Sequence, residues 1–235
     1  MNYPLFIIFG LVPSLAWLAF YLRKDSHPEP NRMIVKVFIW GMLATIPVLG
    51  IELALKFFVE LLPISRDLAF ILYIFFGIAL VEEVFKFLVV RWHVYKSSAL
   101  DEPVDLMLYM IIAALGFAGL ENILVLFGLG DIAPVSHIAT LAVFRFLGAT
   151  FLHALASGLF GYFLAMGQAS HKHHTSSLVL GLVLATLLHG FFNFTIMKSV
   201  GAEKILIPLV LFIITASFIS FAITKLKLMK GLCKM

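Results

Sequence analysis

The sequence predicts an all-α polytopic membrane protein: a bundle of about seven transmembrane helices, N-terminus outside and C-terminus inside. Three observations predict it. Of 235 residues, 62% are hydrophobic and 13% charged, far from the composition of a soluble domain. Seven apolar runs are long enough to cross a bilayer, which takes roughly 20 residues at about 1.5 Å rise each. Basic residues are shared unequally between the two sets of loops.

The first run, 3–22, has no basic residue before it and Arg23 and Lys24 behind it. It has no small-x-small cleavage site and reads as a retained helix rather than a signal peptide. RKDSHPEPNR (23–32), with Pro28 and Pro30, is an inner loop. Runs 37–59 and 68–90 follow, separated from the next run by the inner loop SSALDEPVD (97–105). Run 104–127 leads to the outer GLGDIAP (128–134), and 138–166 returns to the inner GQASHKHHTSS (167–177). Runs 177–198 and 205–224 complete the bundle. The runs are continuous rather than alternating, which favours helices over barrel strands. With no internal repeat, the chain reads as one integral-membrane domain, 1–235.

In this orientation the inner segments hold Arg23, Lys24, Arg32, Lys36, Arg91, Lys96, Lys172, Lys225, Lys227, Lys230 and Lys234. The outer segments hold only Arg66, Lys198 and Lys204. Such an excess marks the cytoplasmic side. The net charge of +4 is thus a topology signal, and the partner it implies is the lipid bilayer, not nucleic acid. The single Cys233 excludes an intramolecular disulfide and reads as a reduced tail cysteine.

Polar residues inside the runs carry the functional information. Glu82 and Glu83 are adjacent within LAFILYIFFGIALVEEVFKFLVV (68–90). A carboxylate in hydrocarbon costs about 2.5–3.5 kcal/mol on insertion scales, and two like charges cost more. Lys86 follows at four and three residues, so both acids can lean toward it, yet one ammonium offsets only one of them. Glu121 and Asn122 follow Gly116, Ala118 and Gly119, small residues that let helices approach closely. Arg145 and His153 lie two turns apart on the fifth run. Ser157, one turn beyond, reads as bonding its own backbone. His189 and Asn193 share one face of the sixth run. Counted from the outer ends, Glu82 and His153 lie about 21–22 Å deep, and Glu121, Arg145 and Asn193 roughly 8–10 Å. These depths predict a cavity open to the outer side. HKHH (171–174) reads as a solvated basic patch.

Glu82, Glu83, Glu121, His153 and His189, without an activated Ser or Cys, point to activated water. In one version a glutamate takes the proton while the histidines and Asn193 stabilise the oxyanion. In the other, a divalent metal such as zinc lowers the pKa of the water, with Glu83, Glu121, His153 and His189 as its ligands. The acids, imidazoles and amide at hand favour the metal-free version slightly. H-E-x-x-H, a pair of intramembrane aspartates and G-x-S-x-G are all absent. The same groups could form the relay of a proton-coupled or metal-ion transporter, but paired helix breaks and repeats are missing.

HPEP (27–30), EEVFK (82–86), DEPVD with GFAGLEN (101–105, 116–122), FLHALASG (151–158) and HGFFNF (189–194) occur in this order. Together they resemble the PrsW family of bacterial membrane proteases, related to the CAAX-prenyl endopeptidase superfamily. The resemblance implies a glutamate-dependent endopeptidase embedded in the bacterial plasma membrane. Its substrates would be membrane proteins, such as an anti-sigma factor cut on its extracytoplasmic side. By position it implies Glu82 and Glu83 as catalytic acids and His189 as their partner. Glu121, His153 and Asn193 would complete the site, with Lys86, Asn122 and Arg145 in support. Leu106 departs from the pattern, which has a small residue there. The resemblance leaves the oligomeric state open.

Overall fold

The computed structural model describes residues 3–25, 27–128, 134–170 and 174–229, and every regular element among them is helical. The order is α1 (Tyr3–Leu22), α2 (Asn31–Glu60) and α3 (Arg66–Leu72). A π-helical segment (Tyr73–Ala79) joins α3 to α4 (Leu80–His93). Then come α5 (Pro103–Gly128), α6 (Val135–Leu147), α7 (Ala149–Ser170), α8 (His174–Lys198) and α9 (Glu203–Lys227). Seven stretches among the described residues are long and apolar enough to cross a membrane. The protein is an all-α polytopic membrane protein. Cys233, His171, Lys172, His173 and most of the expected outer loop lie outside the described residues.

Helix α5 is the centre of the bundle. Its membrane-spanning stretch is 72% buried, against 17% for α9, and its buried residues lie on every face of the helix. Small side chains permit this. A Cβ on Gly41 of α2 would strike Ala113 O of α5, and one on Gly116 would strike Phe38 O in return. Neither helix could come so close with a larger residue at these two positions. Thr45 Oγ1 then donates to Phe117 O at 3.2 Å, pinning α2 at this height. On the other face of α5, a Cβ on Gly161 of α7 would stand 2.6 Å from Met107 Cα.

Two elements differ from the sequence expectation. The third run is not one regular α-helix, because Tyr73–Ala79 is wound as a π-helix. Such wide turns are frequent at functional sites. Here Phe75, from the wide segment, packs where a Cβ on Gly190 of α8 would be, 2.5 Å from its ring. The fifth run is broken at Gly148, whose φ of −105° and ψ of −90° leave the helical region. Arg145 and His153 therefore belong to different helices, α6 and α7. The depth count for His153, which assumed one straight helix from 138, does not hold.

The α1–α2 connection is tied to the base of α5. Tyr109 Oη donates to Glu29 Oε2 at 2.5 Å, and His27 Nδ1 stands 2.8 Å from Glu102 Oε1. Asp105 Oδ2 accepts from the backbone N–H groups of Asp101 (2.9 Å) and Glu102 (2.6 Å). Burial raises the Glu29 pKa from its ordinary 4.5 to about 8, with nearby Asp105 adding to the rise and the Tyr109 hydrogen bond opposing it. The residues of HPEP and DEPVD thus form one polar knot.

Candidate active site

Five helices deliver polar side chains to one buried cluster. Helix α4 opens with Glu82 and Glu83 and places Lys86 one turn on; all three are buried. Lys86 Nζ donates to Glu82 Oε2 at 3.1 Å and Glu83 Oε1 at 2.8 Å. Its third proton meets His153 Nδ1 of α7 at 2.8 Å. The ammonium is fully used, and the face of Phe117 lies 4.7 Å away.

Hydrogen bonding assigns the imidazole tautomers. His153 Nδ1 accepts from Lys86, so its Nε2–H donates to Glu121 Oε2 of α5, at 2.8 Å. His189 of α8 donates Nδ1–H to Glu83 Oε1 at 3.0 Å, leaving the Nε2 lone pair free. That Nε2 faces Glu82 Oε2 at 3.8 Å, and His153 Nδ1 lies 3.6 Å from the same oxygen. The two rings meet edge to face with centroids 5.0 Å apart. One atom each from Glu82, His153 and His189 therefore converges, all within 4.8 Å of one another.

Behind these atoms stands a supporting layer. Glu83 is completely buried, and Ser157 Oγ donates to its Oε2 at 2.7 Å, so Ser157 bonds this acid rather than its own helix. Glu83 accepts three donors in all. Glu121 pairs with Arg145 Nη2 at 2.9 Å and keeps 29% of its side chain exposed. Arg145 Nε donates to Asn122 Oδ1 at 2.5 Å. Asn122 in turn donates to Thr150 Oγ1 at 3.0 Å and Gly10 O at 3.3 Å, which anchors α1.

Eight of the nine sequence-derived candidates meet here: Glu82, Glu83, Lys86, Glu121, Asn122, Arg145, His153 and His189. Asn193, half-buried one turn beyond His189, makes no hydrogen bond to the cluster among the described residues. The expected ligand set changes as well. Glu83 and Glu121 stand behind the imidazoles, and Glu82 supplies the converging oxygen. Glu52 of α2, a half-buried acid in the same bundle, was not among the candidates. An acid inside an apolar run was the available signal; Lys56 one turn on gave it the look of a surface pair near the helix end.

The donor set suits a divalent cation. Two imidazoles and one carboxylate offer three ligand atoms, a common protein set for catalytic zinc. Each imidazole gives its other ring nitrogen to a carboxylate, the arrangement that orients metal-bound histidines.

Comparison with known proteins agrees. Residues 29–221 match the family described as PrsW family intramembrane metalloprotease. The chain is 33% identical over 202 residues to Protease PrsW of Oceanobacillus iheyensis, covering 85% of this chain and 86% of that protein. It is 30% identical over 206 residues to Protease PrsW of Bacillus subtilis, covering 87% and 88%. With Protease PrsW of Clostridioides difficile, identity is 24% over 202 residues, covering 84% and 81%. No solved structure matches. The family's description as metalloproteases weighs against the slight preference for metal-free chemistry, and its activity does not favour the transport reading. With its acids and imidazoles gathered between membrane-spanning helices, the chain belongs to the PrsW family of intramembrane proteases.

Proposed function

We propose that the protein hydrolyses a peptide bond of a membrane-protein substrate with water activated at the Glu82–His153–His189 group. The observation that carries this reading is the convergence of those three ligand atoms within 4.8 Å. Glu82, His153 and His189 would hold a divalent cation such as zinc. The cation would lower the pKa of the attacking water and polarise the scissile carbonyl.

The remaining residues have distinct tasks. Glu83 holds His189 in the tautomer that turns Nε2 inward. Glu121 does the same for His153, turning Nδ1 inward. Being partly exposed, Glu121 is also the carboxylate best placed to take the water proton and deliver it to the leaving amine. Arg145 orients Glu121 through their 2.9 Å ion pair. Holding the cation would take the single lone pair of His153 Nδ1 away from Lys86, which would keep Glu82 and Glu83 as its partners. The positive charge of Lys86 offsets the carboxylates in a site that water reaches poorly.

The reading includes a bacterial plasma-membrane location with N-out/C-in topology, supported by the basic asymmetry of the loops. The substrate would be a membrane protein of the anti-sigma-factor kind, cut on its extracytoplasmic side; the more exposed residues Glu121 and Arg145 fall toward that side. Cleavage of a single-pass membrane substrate library by purified wild type and Glu83→Gln is the test. Cleavage by wild type, abolished by a chelator and restored by zinc, and about 10–100-fold slower in Glu83→Gln, is expected. Cleavage that survives full chelation would sink the metal role, and uptake of an ion without cleavage would revive transport.

A further inference from the structure

Glu82, His153 and His189 are buried, so a peptide bond reaches them only from a side that the bundle leaves open. Glu121, with 29% of its side chain exposed, marks that side. Helix α5 shows how the opening is made. Every residue of it from Pro103 to Gly119 is buried. Beyond Gly119 the pattern changes. Asn122, Ile123 and Leu126 stay buried, Leu120 and Glu121 are half-buried, and Leu124, Val125 and Gly128 are exposed. Glu121, Leu124, Val125 and Gly128 have helical spacing and form one face. The opposite face is covered: a Cβ on Gly10 of α1 would strike Ile123, and Leu126 packs with Phe6 of α1 and Ile138 of α6. Helix α2, which packs closely on α5 through Gly41 and Thr45, has no buried residue after Val48. It therefore leaves the face that starts at Glu121 uncovered.

We propose that this face of α5, with Leu124 and Val125 leading to Glu121, is the docking surface for the apolar membrane-embedded segment of the substrate. The proposal rests on the reading of the protein as a peptidase acting on membrane proteins. The chemistry of the face selects that occupant. Leu124 and Val125 accept hydrophobic side chains, and a charged side chain laid against them would lose its hydration without a partner. The face is continuous with the site, because Glu121 bonds His153 at 2.8 Å. A segment lying along it is thereby delivered to the buried group, whereas a lipid tail fits the apolar part and brings no peptide bond. The face is also short. From Glu121 to Gly128 it rises about 10 Å, so it holds only the last two or so turns of a substrate helix. There the segment unwinds at least cost, since water and polar groups near the membrane edge satisfy the freed backbone. Substrate choice then follows from apolar residues within about two turns of the scissile bond.

The test uses full-length protein in detergent and a single-pass membrane protein that wild type cleaves from the library. Val125→Trp fills the face and stays apolar. Ile213→Trp, on the exposed side of α9, is the control. Val125→Trp is expected to raise KM about tenfold with kcat little changed, the mark of lost binding rather than lost chemistry, while Ile213→Trp matches wild type. Photo-crosslinking gives a readout that does not depend on the tryptophan variant folding. With benzoylphenylalanine at position 125 or 213 in the Glu82→Gln protein, irradiation is expected to join the substrate at 125 and not at 213. If Val125→Trp cleaves as wild type does and position 125 captures only lipid or detergent, docking on α5 is overturned and the peptidase stands. If wild type cleaves no member of the library, the peptidase reading falls and the docking surface falls with it.

Discussion

His189 stands between two consecutive glutamates: Nδ1 is 3.0 Å from Glu83 Oε1, and Nε2 is 3.8 Å from Glu82 Oε2. Neighbours on one helix thus reach opposite sides of one imidazole. Glu83, holding three donors, orients the ring. Glu82 shares the ring's inward side.

This division predicts different consequences for the two acids. In Glu83→Gln the amide oxygen can still accept from Lys86 and His189, but the carboxylate charge that faces the buried Lys86 is lost and Ser157 must turn from donor to acceptor. We expect zinc affinity and kcat/KM to fall about 10–100-fold with the site still assembled. Glu82→Gln removes a converging ligand and should abolish stoichiometric zinc. Metal content and single-turnover cleavage of the two variants check this; equal zinc retention by both would refute the division.

Lys86 is completely buried between Glu82 and Glu83. Removing one partner of a buried ion pair typically costs about 3–5 kcal/mol, because the remaining charge is left uncompensated. Lys86→Met should destabilise the protein by that order. Glu83→Gln in the same chain should recover part of the loss. Denaturant unfolding in detergent measures both, and strict additivity of the two substitutions would count against the coupling.

Glu29 gives a pH dependence with a definite sign. Its folded pKa of about 8 lies above the ordinary 4.5, so the folded state binds the extra proton between those values. Its contribution to stability is full below about pH 4.5 and fades as pH rises through about 8. Glu29→Gln keeps an acceptor for Tyr109 but cannot ionise. The Tm difference between wild type and this variant should therefore change steadily across that window, wild type losing ground as pH rises. A constant difference from pH 4.5 to 8 would exclude this role.

The contact of α2 with α5 leaves no room at Gly41 or Gly116. A Cβ at either position meets backbone oxygen, which cannot swing aside as a side chain could. Gly41→Ala and Gly116→Ala should each cost about 1–3 kcal/mol, the usual range for overpacking. Cleavage should drop as well, since α2 also packs against α4, which carries Glu82 and Glu83. Gly50, with open space around its Cβ position, is the control, and Gly50→Ala should behave as wild type.

Much of the site was legible because lipid makes buried charge conspicuous. Glu82, Glu83, Glu121, His153 and His189 stood out against apolar runs, and Lys86 was tied to the acids by helical spacing alone. Glu52 carried the same signal but lay near Lys56 toward the end of a run. Ser157 was misjudged because its partner, Glu83, belongs to a helix 74 residues away in sequence. Asn193 has the right spacing from His189, yet helical spacing does not tell which neighbour the shared face meets.

The sequence by itself determined the class, the number of spans, and which residues lie on one face of each helix. Hydrophobic length and the 3.6-residue turn suffice for that. Only the tertiary structure decided that Glu82, not Glu83 or Glu121, joins the two inward nitrogens. That fact depends on how far each helix is rotated and shifted against its neighbours. Here rotation and height follow from the Gly41–Gly116 approach, the π-helical turn before Glu82 and the break at Gly148. Each is a relation between helices or a change in winding, and apolar periodicity within one helix carries neither.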